Sequence, residues 1–187
     1  FFTVQVAAAC PQACAFCPYP VVAGDPRNLR GEMPVERFDE LLGRIEAFAR
    51  DAHVAISLWG EPALHGDVAG LVRAAGRHPG ISLLVETSGV GGRPGVLERI
   101  AADAASAPTW IVSLDAATAP VYERLRGAGF AEAAATAEEL LRLFPATTHV
   151  QAVRMRENED DLEAFWRDWK ARTGRVIVQK YDDFAGT

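Results

Sequence analysis

The chain has 187 residues and a net charge of −6; 49% of its residues are hydrophobic and 24% are charged. This composition excludes a disordered chain and a disulfide-stapled miniprotein, and the length predicts one globular domain over residues 1–187. The acidic balance without a basic cluster excludes binding to extended nucleic acid, and apolar runs shorter than about 18 residues exclude a membrane span.

Six strand-like runs alternate with amphipathic segments along the chain. Runs rich in branched and aromatic residues predict strands at residues 3–9, 54–59, 81–87, 110–114, 149–155 and 176–179. Apolar positions three or four residues apart predict helices at 38–48, 68–75, 96–104 and 162–169. The fourth connection is longer. It predicts a short helix begun by Thr118 and Pro120, a break at 127–129, and a second helix at 133–144.

Regular alternation of strands and helices predicts an α/β fold with a parallel sheet. A closed eightfold barrel takes about 250 residues, so six units in this length predict an open, partial (β/α)6 TIM-like barrel. In such folds the ligand lies at the carboxyl ends of the strands. We therefore expect functional residues directly after each strand.

All the cysteines of the chain lie in the loop after the first predicted strand. Cys10, Cys14 and Cys17 form a CxxxCxxC pattern, and their odd number argues for a metal site in a reducing compartment rather than for disulfides. Three thiolates would leave one iron of a four-iron cluster without a protein ligand. The alternative is a non-catalytic zinc-binding module of three cysteines and a histidine, for which His65 is the best placed.

This loop, with aromatic Phe16 before the third cysteine, resembles the signature of the radical S-adenosylmethionine (SAM) superfamily. The resemblance implies that Cys10, Cys14 and Cys17 bind a 4Fe-4S cluster and that the amino and carboxylate groups of SAM bind the fourth iron. Reductive cleavage of SAM would give a 5'-deoxyadenosyl radical, which abstracts hydrogen from a substrate.

The second predicted strand ends in Trp59-Gly60-Glu61-Pro62, which is similar to the GGEP turn of this family. The resemblance implies that Gly60 and Glu61 hold the methionine amino group of SAM. Glycine permits close backbone approach, and a carboxylate can accept hydrogen bonds from an ammonium group. Trp59 stands where the family usually has glycine, and we expect its indole to shape the substrate side.

Three later segments also resemble cofactor-binding positions of the family. Glu86 and Ser88, at the end of the third strand, suit a ribose, although an ordinary polar turn would look the same. Ser113 and Asp115 resemble an SxD segment of peptide-modifying members; the alternative for Asp115 is a helix cap. Arg126 suits the SAM carboxylate better than Arg124, with a solvated helix charge as the alternative for either.

The combination of motifs resembles members that carry a C-terminal SPASM extension with auxiliary iron-sulfur clusters. Such members commonly modify peptides or proteins, so we expect a radical SAM oxidoreductase that acts on a peptide or protein. The alternative is a small metabolite or nucleotide. The electron would come from a ferredoxin or flavodoxin. The chain begins at Phe1 and opens directly into a strand, so we expect a core-domain fragment of a longer cytoplasmic protein, with its C-terminal extension missing.

Overall fold

Six parallel strands form one sheet in which spatial order follows chain order. The computed structural model describes residues 1–25, 30–102 and 107–181. The sheet curls into a half-barrel, which confirms the predicted partial (β/α)6 architecture. The strands are β1 Phe2–Thr3, β2 Ala52–Ala55, β3 Ile81–Thr87, β4 Thr109–Ser113, β5 Thr148–Arg154 and β6 Val176–Lys180.

Helices connect the strands in the predicted places. They are α1 Tyr19–Val22, α2 Val35–Phe48, α3 Val68–Ala75, α4 Val96–Ala102, α5 Ala119–Arg126, α6 Phe130–Leu143 and α7 Leu162–Lys170. Short 3-10 turns also form at Pro62–Leu64 and Arg156–Asp161. These turns and α1 were not predicted, because segments of three to six residues show no apolar period. Residue 104, the predicted end of α4, lies outside the described residues. No helix in the described ranges is long and apolar enough to cross a membrane.

The predicted first strand is much too long. β1 ends at Thr3, and residues 4–9 separate from the sheet after one more hydrogen bond to β2. The chain pairs instead with the segment before α2, where the Met33 amide donates to the Val6 carbonyl at 2.9 Å. An apolar run indicates burial, but it does not show which neighbour supplies the backbone hydrogen bonds.

The predicted second strand also ends too late. β2 stops at Ala55, and Leu58 has a φ of 152°, a backbone conformation that costs energy for a residue with a side chain. The chain therefore turns away from the sheet before Gly60. This early exit places the Trp59–Pro62 turn beyond the carboxyl end of β2.

The two faces of the sheet differ in polarity. Because side chains alternate along a strand, one set packs against the helices and the other faces the barrel interior. The outer set includes the fully buried Val54, Val85, Val112 and Val150, which join a core with Phe38, Leu42, Leu71, Leu140 and Phe165. The inner set includes Glu86, Ser113 and Gln151. The interior is therefore a cavity in which these polar side chains stand among apolar ones such as Leu84, Ile111 and Val153, rather than a packed core.

A cluster of one histidine and two carboxylates lies at the amino end of β3, where His78 precedes the strand. His78 contacts Glu46 through Nδ1 at 3.0 Å and Asp39 through Nε2 at 2.9 Å. Burial lowers the pKa of His78, but the two carboxylates outweigh it and the net shift is upward. Hydrogen bonds from His78 and Arg77 lower the pKa of Asp39. The Gly80 amide and His78 lower that of Glu46.

Candidate functional site

The three cysteines line one cavity of about 450 Å³ at the carboxyl ends of the strands. Tyr19 clamps their loop. Its hydroxyl donates to the Ala8 carbonyl at 3.1 Å and accepts from the Cys10 amide at 3.0 Å. The Tyr19 amide donates to Cys17 Sγ at 3.4 Å. Sequence analysis missed Tyr19, whose only signal was its position two residues after the third cysteine.

The donor set fits an iron-sulfur cluster. Burial raises the pKa of Cys10, and it raises that of Cys14 to about 11. A metal binds cysteine as the thiolate, so binding of a cluster would release the thiol protons. In a cluster each thiolate binds a different iron, and three thiolates leave one iron open. No three His, Cys, Asp or Glu side chains in the described ranges lie close enough to hold a single metal ion.

The histidines do not complete a zinc site with these thiols. His65 contacts the Met33 carbonyl through Nε2 at 2.8 Å, and its Nδ1 accepts from the Asp67 amide at 3.0 Å. Both ring nitrogens therefore hold backbone groups. All four histidines lie in the described part of the chain, and none of them lines the cysteine cavity. This placement argues against the Cys3His alternative.

Glu61 is buried and joins the turn after β2 to the end of β3. Its Oε1 accepts from Thr87 Oγ1 at 2.6 Å and from the Ala63 amide at 3.1 Å. Its Oε2 accepts from the amide and hydroxyl of Ser88, at 2.7 and 2.6 Å. The carboxylate thus accepts four hydrogen bonds from its own chain, and these bonds hold the turn after β2 against the end of β3.

Gly60 is required by backbone packing. A Cβ at this position would lie 1.7 Å from the Ala7 carbonyl oxygen, so no other residue fits without movement of the backbone. The next amide, of Glu61, donates to the Ala9 carbonyl at 2.8 Å. These contacts bind the turn to the segment that leads into Cys10, and so fix two parts of the cavity wall relative to each other.

Trp59 forms another part of this wall. It lines the cavity, and its Nε1 is buried without a hydrogen-bond partner in the described ranges. A buried donor without a partner carries a free-energy cost.

Glu86, Ser113 and Gln151 form a polar cluster across β3, β4 and β5. Glu86 Oε1 accepts from Ser113 Oγ at 3.2 Å and from Gln151 Nε2 at 3.1 Å. Burial raises the pKa of Glu86, and these two hydrogen bonds oppose the rise. Sequence analysis selected Glu86 and Ser113. Gln151, on the neighbouring strand, lines the same cavity.

A buried ion pair lies beside the cysteine loop. Arg126 Nη1 donates to Asp115 Oδ2, and its Nε donates to Gln12 Oε1 at 3.0 Å. Burial lowers the pKa of Arg126, but Asp115 outweighs it and the net shift is upward. Gln12 Nε2 also donates to the Tyr122 hydroxyl at 2.7 Å. Gln12 and Tyr122 had no signal in the sequence, because they meet across 110 residues.

Asp115 anchors the ends of two strands. Its Oδ1 accepts from the Val153 amide at 2.6 Å, and its φ of 63° lies in the left-handed region that aspartate tolerates better than most residues. Asn158 Nδ2 donates to the carbonyls of Asp115 and Val153, both at 2.8 Å. The alternative that Asp115 caps the next helix is wrong, because Thr118 holds the N-cap position of α5 and the Asp115 carboxylate accepts instead from Arg126 and from the Val153 amide.

The remaining site candidates also reach this region. Phe16 and Ser88 line the cavity with the cysteines, and the Arg126 guanidinium lies 5.8 Å from the centre of the Phe16 ring. Arg124, the weaker candidate for the SAM carboxylate, is exposed and lies outside this cavity. The structure thus brings together around one space the selected cysteines, residues 60, 61, 86, 88 and 113 from the strands and the turns after them, and Arg126 from the end of α5, which Asp115 contacts.

Comparison with known proteins gives one family and a consistent fold. A family model described as the Radical SAM superfamily matches residues 4–168. An "Uncharacterized protein" of Treponema pallidum (strain Nichols) is 36% identical over 167 residues, which cover 82% of this chain and 46% of that protein. The chain therefore spans less than half the length of this curated relative.

Solved structures are similar in fold. Streptococcus suis SuiB bound to S-adenosylmethionine superposes with a TM-score of 0.78 at 19% identity, over 99% of this chain and 41% of SuiB. SuiB has also been solved bound to precursor peptide SuiA. Native anSMEcpe with bound AdoMet and Kp18Cys peptide superposes with a TM-score of 0.73 at 15% identity, over 98% of this chain and 51% of that one.

Proposed function

Because the chain belongs to the radical SAM superfamily, whose members use a 4Fe-4S cluster and SAM, we propose that it contributes the catalytic core of an enzyme that modifies a peptide or protein. The observation that carries this proposal is the single cavity lined by all three thiols and by the ends of β3, β4 and β5. When bound, the cluster and SAM supply a 5'-deoxyadenosyl radical that abstracts hydrogen from the substrate.

In this proposal the cysteine loop holds the cluster and the strand ends hold SAM. Cys10, Cys14 and Cys17 are the cluster ligands, with Phe16 packed beside them. Gly60 and Glu61 shape the turn that receives the methionine amino group; since the Glu61 carboxylate already has four donors, we assign the contact to the backbone of the turn. Ser113 and Arg126 receive the SAM carboxylate.

The Arg126 assignment has a specific atomic basis. Its Nε and Nη1 donate to Gln12 and Asp115, the Tyr122 hydroxyl is a further neighbour, and a guanidinium carries five N–H donors in all. The guanidinium thus keeps a donor for a carboxylate in the cavity it lines. In the same way Glu86 Oε2 accepts nothing from the described ranges. We assign Glu86 and Ser88 to the ribose hydroxyls, and Asp115 to the orientation of Arg126.

The peptide class of the substrate is supported by two structural neighbours. SuiB was crystallised with precursor peptide SuiA, and anSMEcpe with a peptide. An electron carrier of the ferredoxin or flavodoxin type would reduce the cluster. A small metabolite or nucleotide remains the alternative substrate, and it predicts that no peptide competes for the cavity.

The test is anaerobic reconstitution with iron and sulfide, followed by EPR spectroscopy of the reduced protein with and without SAM. We expect a 4Fe-4S signal that changes when SAM is added, because SAM would bind the open iron. Cys17→Ser should abolish the 4Fe-4S signal, because it removes one of the proposed cluster ligands. Arg126→Lys should weaken the response to SAM, whereas Arg73→Lys, exposed on α3, should leave it unchanged. A cluster signal indifferent to SAM would refute the proposal.

A further inference from the structure

A second cavity, of about 1100 Å³, lies beside the first at the β6 edge of the sheet. We call it the basic groove. Apolar side chains form much of its lining: Phe16, Leu125, Met155, Val178 and Tyr181. Charged side chains also line it: Arg124, Arg154, Arg156, Lys180, Glu157 and Glu159.

The charge of the groove is opposite to that of the chain. Four cationic and two acidic side chains line it, whereas the whole chain has a net charge of −6. One of the cations, Arg154, is paired with Glu159. Arg124, Arg156 and Lys180 have no carboxylate partner within residues 1–25, 30–102 and 107–181. All three are exposed, so the groove holds positive charge that the described chain leaves uncompensated.

The basic groove is continuous with the cavity that holds the cysteines. Phe16, Gln179 and Tyr181 line both spaces. Phe16 belongs to the cysteine loop, and the other two belong to β6 and the residue after it. A chain that places one residue in the cavity therefore has a continuous path over these three side chains and along the cationic rim.

We propose that the basic groove binds an acidic segment of a polypeptide substrate, adjacent to the residue that enters the cavity. This inference rests on the proposed function and narrows it to substrates with Asp or Glu near the modified residue. The occupant is assigned by charge complementarity: the chain as a whole has a net charge of −6, whereas the groove carries more cationic than acidic side chains and so attracts an anionic segment. The apolar lining receives the hydrophobic side chains between the acidic ones.

Binding of a labelled peptide tests the groove without requiring cluster or turnover. The probes are fluorescein-labelled peptides of one sequence that alternates Asp and Leu with Gly, and its matched form with Asn for every Asp. We expect fluorescence anisotropy to show binding of the Asp peptide at about 0.05 M salt, at least about tenfold tighter than the Asn peptide, and weaker at about 0.3 M.

Charge reversal locates the binding. The double variant Arg124→Glu with Arg156→Glu should bind the Asp peptide at least about tenfold more weakly than the wild type. The control carries the same charge change on the outer helices, Arg44→Glu with Arg73→Glu, and should retain most of the affinity. Circular dichroism checks that both variants fold. Equal binding of the two peptides, or equal losses in the two variants, would overturn the inference.

Two further readouts separate other occupants. Sedimentation at low salt should show a monomer; a dimer that dissociates in the Arg124/Arg156 variant would assign the groove to a second copy of this chain. Slower cluster reduction by flavodoxin in that variant, with unchanged peptide binding, would assign it to the reductant. Failure of the SAM-dependent EPR change while acidic peptide still binds would reject the proposed function and leave the groove intact.

Discussion

Substitution of Asp115 by Asn tests whether the buried ion pair supports the cavity. Asp115 is 0% exposed and Arg126 is 7% exposed. Asn retains an oxygen for the Val153 amide, but it loses the negative charge and can present an amide donor to a guanidinium that only donates. The variant therefore leaves Arg126 buried without its counter-charge.

The magnitude follows from this burial. Removal of one partner of a buried pair costs about 3–5 kcal/mol of unfolding free energy, because the remaining charge stays desolvated. The retained Val153 hydrogen bond favours the lower end, so we expect a loss of about 3 kcal/mol. For a chain of this size that loss corresponds to a fall in Tm of roughly 6–12 °C.

The assay is urea unfolding followed by circular dichroism, and the chain offers a matched control. Arg154 and Glu159 form a contact of the same kind, but their side chains are 62% and 48% exposed. Glu159→Gln should cost much less unfolding free energy than Asp115→Asn, because solvent screens an exposed ion pair. If Asp115→Asn cost no more than Glu159→Gln, the idea that the buried pair organises this site would be refuted.

Two other predictions concern the support of the sheet and of the turn. The unfolding free energy of the wild type should exceed that of His78→Gln by the largest amount between about pH 4.5 and 6.5. The raised pKa of His78 stabilises the fold at pH values below the usual histidine pKa of 6.5, and this contribution is lost as the pH rises through the raised pKa of the folded state. The lowered pKa values of Asp39 and Glu46 stabilise the fold at pH values above the usual 3.8 and 4.5, and this contribution is lost as the pH falls. Urea midpoints across pH measure this, and a pH-independent difference would contradict it. Gly60→Ala should prevent normal folding because its Cβ would meet the Ala7 oxygen, while Gly43→Ala, with only an ordinary contact to His78, should gain up to about 1 kcal/mol from helix propensity. Soluble yield and thermal unfolding compare the two, and equal stability would contradict the steric argument.

The sequence predicted the order of elements better than their ends. β3 has the predicted bounds, because Ile81–Thr87 is a continuous run with neighbouring strands on both sides. The first two strands were predicted too long, because residues 4–9, apart from Gln5, and residues 57–59 are apolar or small yet leave the sheet. Their path depends on the contact of Gly60 with Ala7, and a contact between residues so far apart in sequence has no local pattern.

Site residues that belong to a short motif could be predicted from the sequence. Site residues whose contacts join distant parts of the chain could not. Spacing identified the cysteine loop, and resemblance to cofactor-binding segments of the family identified Glu86 and Ser113. Gln12 lies inside the same loop but gave no signal, because its partners Tyr122 and Arg126 come more than 100 residues later. The expected SPASM association stays a prediction.

Gln12 joins the two halves of the proposed cofactor site. It lies between Cys10 and Cys14, and its side chain binds Arg126, which is itself held by Asp115 at the end of β4. The cluster loop and the proposed SAM carboxylate donor thus share one support. A shift of the ion pair moves both, because a buried polar network has no solvent to replace a lost partner. Substitutions behind the cavity, at residues that touch neither cofactor, should therefore change cluster assembly and the response to SAM together.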